Sequence, residues 1–174
     1  AYQIDFEDFE RKIEQEHVKL FILCNPHNPV GRVWTVEELQ KLGEICLRHH
    51  VTVVSDEIHN DFVYPGYEHT VFANVDPRFA EFTLTCTAPS KTFNLASMMI
   101  SNIFIPNENL RKAFKTEIDR TGYDEPNALG VVACEAAYRA GEDWLDQLRA
   151  YLLKNLNFLR DFLQEKLPQI HLVE

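Results

Sequence analysis

Apolar positions along this chain switch between two spacings, and the switches mark out its elements. Asp5 is an N-cap for a short helix in which Phe6, Phe9 and Ile13 recur at helical spacing. Residues 18–24 then form a mostly apolar run, the pattern of a buried parallel strand. A turn-rich loop, Asn25-Pro26-His27-Asn28-Pro29-Val30-Gly31, follows it. Thr35 with Glu38 makes a capping box, opening a helix that sets Leu39, Leu42 and Ile45 on one face. His49 and His50 close that helix and are expected to be solvent-exposed, favoured there by the helix dipole.

The run 51–55 predicts a second strand that leads directly into Asp56, and the loop after it, to about Pro77, holds the turn signal Pro65-Gly66. Strands are expected at 82–86, just before Lys91, and at 100–105. Asn107 caps a helix carrying Leu110, Phe114 and Ile118, and the rest is helical: one segment at 128–139 and a long one at 143–166. In the long helix Leu145, Leu148, Leu152, Leu156, Leu159 and Leu163 form an amphipathic stripe. Pro168 stops it, and 170–173 is expected to begin another strand.

Strands alternating with helices predict an α/β fold with a mainly parallel sheet. Ligands bind such sheets beyond the carboxyl ends of the strands. Three polar residues fall there: Asn28 after the first strand, Asp56 at the end of the second, and Lys91 after the third. They lie 28 and 35 residues apart in sequence, yet the topology carries all three to one rim.

Composition narrows the partners. The 174 residues carry a net charge of −10, so nucleic acid and anionic membranes are not expected partners. No apolar run reaches the roughly 20 residues of a membrane helix, and no signal-peptide pattern opens the sequence. Cys24, Cys46, Cys86 and Cys134 never form a CxxC pair, which favours a reducing, cytoplasmic setting, and Cys24 and Cys86 are expected as small core residues.

Taken alone, Lys91 reads as an exposed surface residue as readily as a reactive amine. A partly desolvated lysine amine can join an aldehyde covalently, and pyridoxal 5'-phosphate (PLP) is such an aldehyde. PLP also needs a carboxylate facing its pyridine nitrogen and a donor for its phenolic oxygen. Asp56 and Asn28 have the chemistry for those two roles.

Three motifs then carry a resemblance: Asn25-Pro26-His27-Asn28-Pro29-Val30-Gly31-Arg32, Ser55-Asp56-Glu57-Ile58-His59 and Ser90-Lys91-Thr92-Phe93-Asn94. In this order and at this spacing the chain resembles the class I/II aminotransferase-fold (fold type I) PLP enzymes. Within them it is most similar to the cystathionine β-lyase-like C–S lyases, the MalY/PatB branch. The resemblance implies that Lys91 carries the cofactor, Asp56 faces the ring nitrogen and Asn28 holds the phenolic oxygen. His59 stands where aminotransferases usually have a tyrosine; it contacts the ring or packs beside it. Ser90 is a candidate donor to the cofactor phosphate or else a turn-stabilising hydroxyl, with Thr87 a weaker candidate. Asp56, Glu57, His59 and Asp61 could be read as metal ligands, but the PLP reading already uses Asp56, and no metal is expected.

The family pattern is broken in places. Met99 occupies a position where many aminotransferases have a basic residue for the phosphate, and Ser97 replaces a glycine. The resemblance is to a central segment, with residues 1–140 expected as part of the PLP-binding large domain. Residues 141–174 are expected as a connecting helix and the start of a small domain. The family's glycine-rich phosphate turn, ring-stacking aromatic and carboxylate-binding arginine would lie outside, so the chain by itself is expected to be catalytically incompetent. The implied activity is a C–S β-lyase acting on an amino-acid substrate as a homodimer. The alternatives are an aminotransferase or a regulatory protein that keeps the fold.

Overall fold

The computed structural model describes residues 2–123 and 125–173. Helix α1 (Phe6–Gln15) starts where Asp5 Oδ1 accepts the Asp8 amide at 2.9 Å. Strand β1 (Leu20–Cys24) leads through the Asn28 loop to α2 (Val36–Arg48), and both halves of the Thr35–Glu38 capping box are made. Strand β2 is Thr52–Asp56 and β3 is Thr83–Thr87, with three short 3₁₀ turns between them. A one-turn helix α3 (Pro89–Thr92) precedes β4 (Asn102–Phe104). Three helices follow: α4 (Glu108–Thr121), capped by Asn107, then α5 (Ala128–Ala140) and α6 (Glu142–Lys166). None of the described helices is long and apolar enough to cross a membrane.

The sheet runs in the order β1-β2-β3-β4, the first three strands parallel and β4 antiparallel to β3. The expected α/β fold is therefore observed, with a reversed edge strand. Its cause is the connection from β3, which holds only α3 and a single 3₁₀ turn and provides no long helix to carry the chain back along the sheet.

One face of the sheet builds the core. Phe21 and Leu23 of β1 and Val53 of β2 pack beneath α1 and α2, joined by Leu39, Leu42, Ile45, Phe72 and Phe79. Phe72 and Phe79 stack at 5.3 Å between ring centroids. Gly43 of α2 makes room for them, since a Cβ there would lie 2.0 Å from the Phe79 ring. The other face is more open, and Ile22 is 64% exposed. The expectation of a buried first strand therefore holds for alternate residues only: β1 behaves as a half-buried strand.

Three further expectations change. Residues 170–173 form no strand; Ile170 N donates to the Leu167 carbonyl in a turn that ends α6. His49 is only 23% exposed, and its Nε2 lies 2.9 Å from Glu10 Oε1, tying α2 to α1, whereas His50 is exposed. Cys24 and Cys86 are half-buried at the strand ends rather than in the core, where Cys46 sits, its thiol pushed up to about 12 by burial.

Candidate active site

The strand register aligns the rim. Cys24 pairs with Asp56, and Asp56 with Cys86, so three strands end at one level. Two bonds extend the ladder past those ends: Asn25 N to Asp56 O at 3.0 Å and Glu57 N to Cys86 O at 2.9 Å.

Above β1, Asn28 sits at the tip of a tight loop. His27 N donates to Arg32 O at 2.7 Å and Gly31 N to His27 O at 2.8 Å, with Gly31 at φ +68°, the left-handed region that glycine adopts freely. Asn25, fully buried, fixes the base of the loop: its Oδ1 accepts Trp34 N and its Nδ2 donates to Thr70 O, both at 3.2 Å. The Asn28 side chain is left exposed at the tip, while its backbone N–H points at Cys24 Sγ, 3.4 Å away.

Asp56 is half-buried, and its Oδ1 accepts Ile58 N at 3.2 Å. Its other oxygen has no hydrogen bond among the described residues. Strand alternation turns the neighbouring Ser55 and Glu57 the opposite way, into the protein. Glu57 is 1% exposed and accepts from Ser55 Oγ at 2.8 Å and Phe72 N at 3.1 Å, with His69 Nε2 2.8 Å from its second oxygen. A buried carboxylate demands such partners. Burial, followed by the charges of Asp56 and Glu57, raises the Cys86 thiol above its ordinary range.

Lys91 lies on α3, exposed, with no hydrogen bond or ion pair among the described residues. Nothing in the described chain desolvates it. Ser90 beside it is half-buried, as is Thr87 at the end of β3. Thr92, fully buried, donates to Asp61 Oδ2 at 2.8 Å. His59 is half-buried, its ring 6.4 Å from that of Phe62.

Asn28 and His59 share a cavity of about 610 Å³, walled also by Val30, Phe62, Tyr64 and Leu156. Asp56 and Lys91 stand at the strand-end rim and do not line this cavity. Met99 is 82% exposed at φ +50° and offers no charge to a phosphate.

Sequence reasoning missed the supporting roles of Glu57, His69, Asp61 and Thr92. Glu57 had a readable signal, because period-two alternation after Ser55 turns it inward. The His69 and Thr92 pairings span 12 and 31 residues and leave no local pattern.

A family model, aminotransferase class I and II, matches residues 1–174. The chain belongs to this family. Among its relatives, the cystathionine beta-lyase PatB of Bacillus subtilis is 51% identical over 174 residues, all of this chain and 45% of PatB. Among solved structures, cystalysin from Treponema denticola, which contains a pyridoxal 5'-phosphate cofactor, aligns with a TM-score of 0.95 at 43% identity. That alignment covers 100% of this chain and 45% of cystalysin. The PLP-bound C–S lyase from Staphylococcus hominis aligns with a TM-score of 0.90 at 45% identity, covering 97% of this chain and 42% of the lyase. This member of the class I and II aminotransferase family thus spans less than half the length of those relatives.

Proposed function

We propose that the whole protein is a PLP-dependent C–S β-lyase. It takes a cysteine conjugate such as cystathionine and water, and yields a thiol, ammonia and pyruvate. The single observation that carries this reading is the 51% identity to a cystathionine beta-lyase across the full length of the chain.

The residues present fit PLP. A half-buried carboxylate with one uncommitted oxygen, an exposed amide and an unpaired exposed amine stand around the same strand ends. When bound, PLP supplies an aldehyde for covalent capture of the substrate amine and a ring that takes up the electron pair left at Cα. The chain's own side chains do the rest. Asp56 holds a proton on the ring nitrogen by ion pairing, and Asn28 donates its amide to the phenolic oxygen. Lys91 would hold the cofactor, and its amine would accept the Cα proton, a general-base role typically worth about 10² to 10⁴ in rate. Ser90 would donate its hydroxyl to the phosphate, and His59, which shares a cavity with Asn28, would lie on the phenolic-oxygen side.

Residues 1–140 would then belong to the cofactor-binding large domain and 141–174 to the connection toward a second domain. We further infer a homodimer in a reducing, cytoplasmic setting, which suits the four free thiols. The test is an assay of the whole protein with PLP and cystathionine. Thiol and pyruvate released in equal amounts support the lyase. Transfer of the amino group to a 2-oxo acid without thiol release makes it an aminotransferase. Neither product, at any PLP concentration, rejects both.

A further inference from the structure

Lys91 sits on a helix that does not hold itself in place. α3 is four residues long, has no side-chain cap, and closes only through Phe93 N to Pro89 O at 2.9 Å and Leu95 N to Ser90 O at 3.1 Å. A single turn is not stable alone, because nucleation fixes several residues for one bond. Its direction is therefore set from outside.

Asp61 supplies much of that outside support, from the loop that follows Asp56 and also carries His59. Its Oδ2 accepts the hydroxyl of the fully buried Thr92 at 2.8 Å, a charge-assisted bond. Its backbone carbonyl accepts Arg149 Nε of α6 at 2.6 Å. One residue beyond Thr92, Phe93 meets Tyr138 edge-on at 5.5 Å and Trp144 at 6.0 Å. At Gly141 any Cβ would fall 2.4 Å from the Phe93 ring, so α5 and α6 close tightly on it. Successive helical side chains point about 100° apart, so holding Thr92 inward turns Lys91 outward to the rim.

We propose that Asp61 is a positioning residue: it clasps α3 and α6 to the loop after Asp56 and thereby fixes the Lys91 amine relative to the Asp56 carboxylate. The proposal rests on the cofactor reading of Lys91. It is tested in the whole protein with PLP by two readouts other than turnover. One is the rate at which a borohydride-reducible lysine–cofactor adduct appears; the other is the pH midpoint of the visible band of the bound cofactor. Thr92→Val keeps the shape and deletes the hydroxyl. It should slow adduct formation about 10- to 100-fold, the scale of a small misplacement of a reacting group, and move the midpoint, while Thr92→Ser restores both.

A Val variant with wild-type rate and midpoint overturns the proposal, even if its melting temperature falls, because the clasp would then be structural only. If Thr92→Val does not fold, Asp61→Ala, which removes the acceptor of the Thr92 hydroxyl, is read in the same way, and a wild-type rate there overturns it. If the unaltered protein forms no adduct at all, the cofactor reading fails, and amide exchange judges the clasp by itself. Faster exchange at Phe93 and Leu95 in Thr92→Val then supports it, and unchanged exchange overturns it.

Discussion

The chain up to β3 and the helices after β4 are both rich in apolar residues, yet only the first region buries them. Leu39, Val51, Val53, Phe72 and Phe79 are sealed between the sheet and α1–α2. By contrast α4 has no buried residue, α5 buries only Gly130, and the 25-residue α6 buries only Leu145. Leu129, Val132 and Phe158 are 72%, 65% and 69% exposed. The difference separates two ways of building one site. Asn28 and Asp56 stand on a layer with its own core, whereas the single turn that carries Lys91 is held by a few specific attachments, through Thr92 to Asp61 and through Phe93 to α5 and α6.

Substitutions should divide along the same line. Phe79→Ala empties the centre of the first region and should cost about 3–5 kcal/mol, as large-to-small core changes do. Chemical denaturation measures this, and a loss below about 1 kcal/mol would show that the core lies elsewhere. Glu57→Ala leaves the Ser55 hydroxyl, the Phe72 amide and His69 without their shared acceptor. A loss of about 1–3 kcal/mol is expected from stranded buried groups, and wild-type stability would mean that water replaces the carboxylate. Phe158→Ala, on the exposed side of α6, should change the stability of this chain by no more than about 0.5 kcal/mol. A change as large as that of Phe79 would erase the contrast between the regions.

The smallest effect is expected at the surface of the first region. Asp76 accepts from the Arg78 side chain and backbone, which holds its carboxyl at about 2, below its ordinary 3.8. A carboxyl depressed on folding stabilises the protein above its unfolded value and stops doing so as pH falls through the folded one. Asp76→Asn should therefore remove a small stabilisation that is present at neutral pH and fades between about pH 4 and about pH 2, flattening the acid limb there and leaving stability below about pH 2 unchanged. Identical acid limbs for variant and parent would contradict this.

Much of the first region was legible in the sequence because its signals are local. The Asp5 and Thr35 caps and the apolar strands each show within a few residues, as does the Asn107 cap of α4 beyond it, and parallel register then carries Asn28, Asp56 and Lys91 to the strand ends. What escaped was long-range. β4 reverses because of what its connection lacks, His49 finds Glu10 some 39 residues away, and Thr92 finds Asp61 across 31. The run 170–173 looked like a strand, but apolar residues without ladder partners form none, and Leu172 and Val173 instead wall the Asn28–His59 cavity. Lys91 taken alone read as an exposed surface residue as readily as a reactive amine, and the described chain leaves it exposed.

The central claim is that Lys91 carries the cofactor on a rim built by the first region, and peptide mapping of the whole protein after borohydride reduction with PLP tests it directly. The account predicts one modified peptide, containing Ser90-Lys91-Thr92, lost in Lys91→Ala with little change in melting temperature because the side chain is exposed. A reduced adduct on any other lysine, or one that persists in Lys91→Ala at the same stoichiometry, would contradict it.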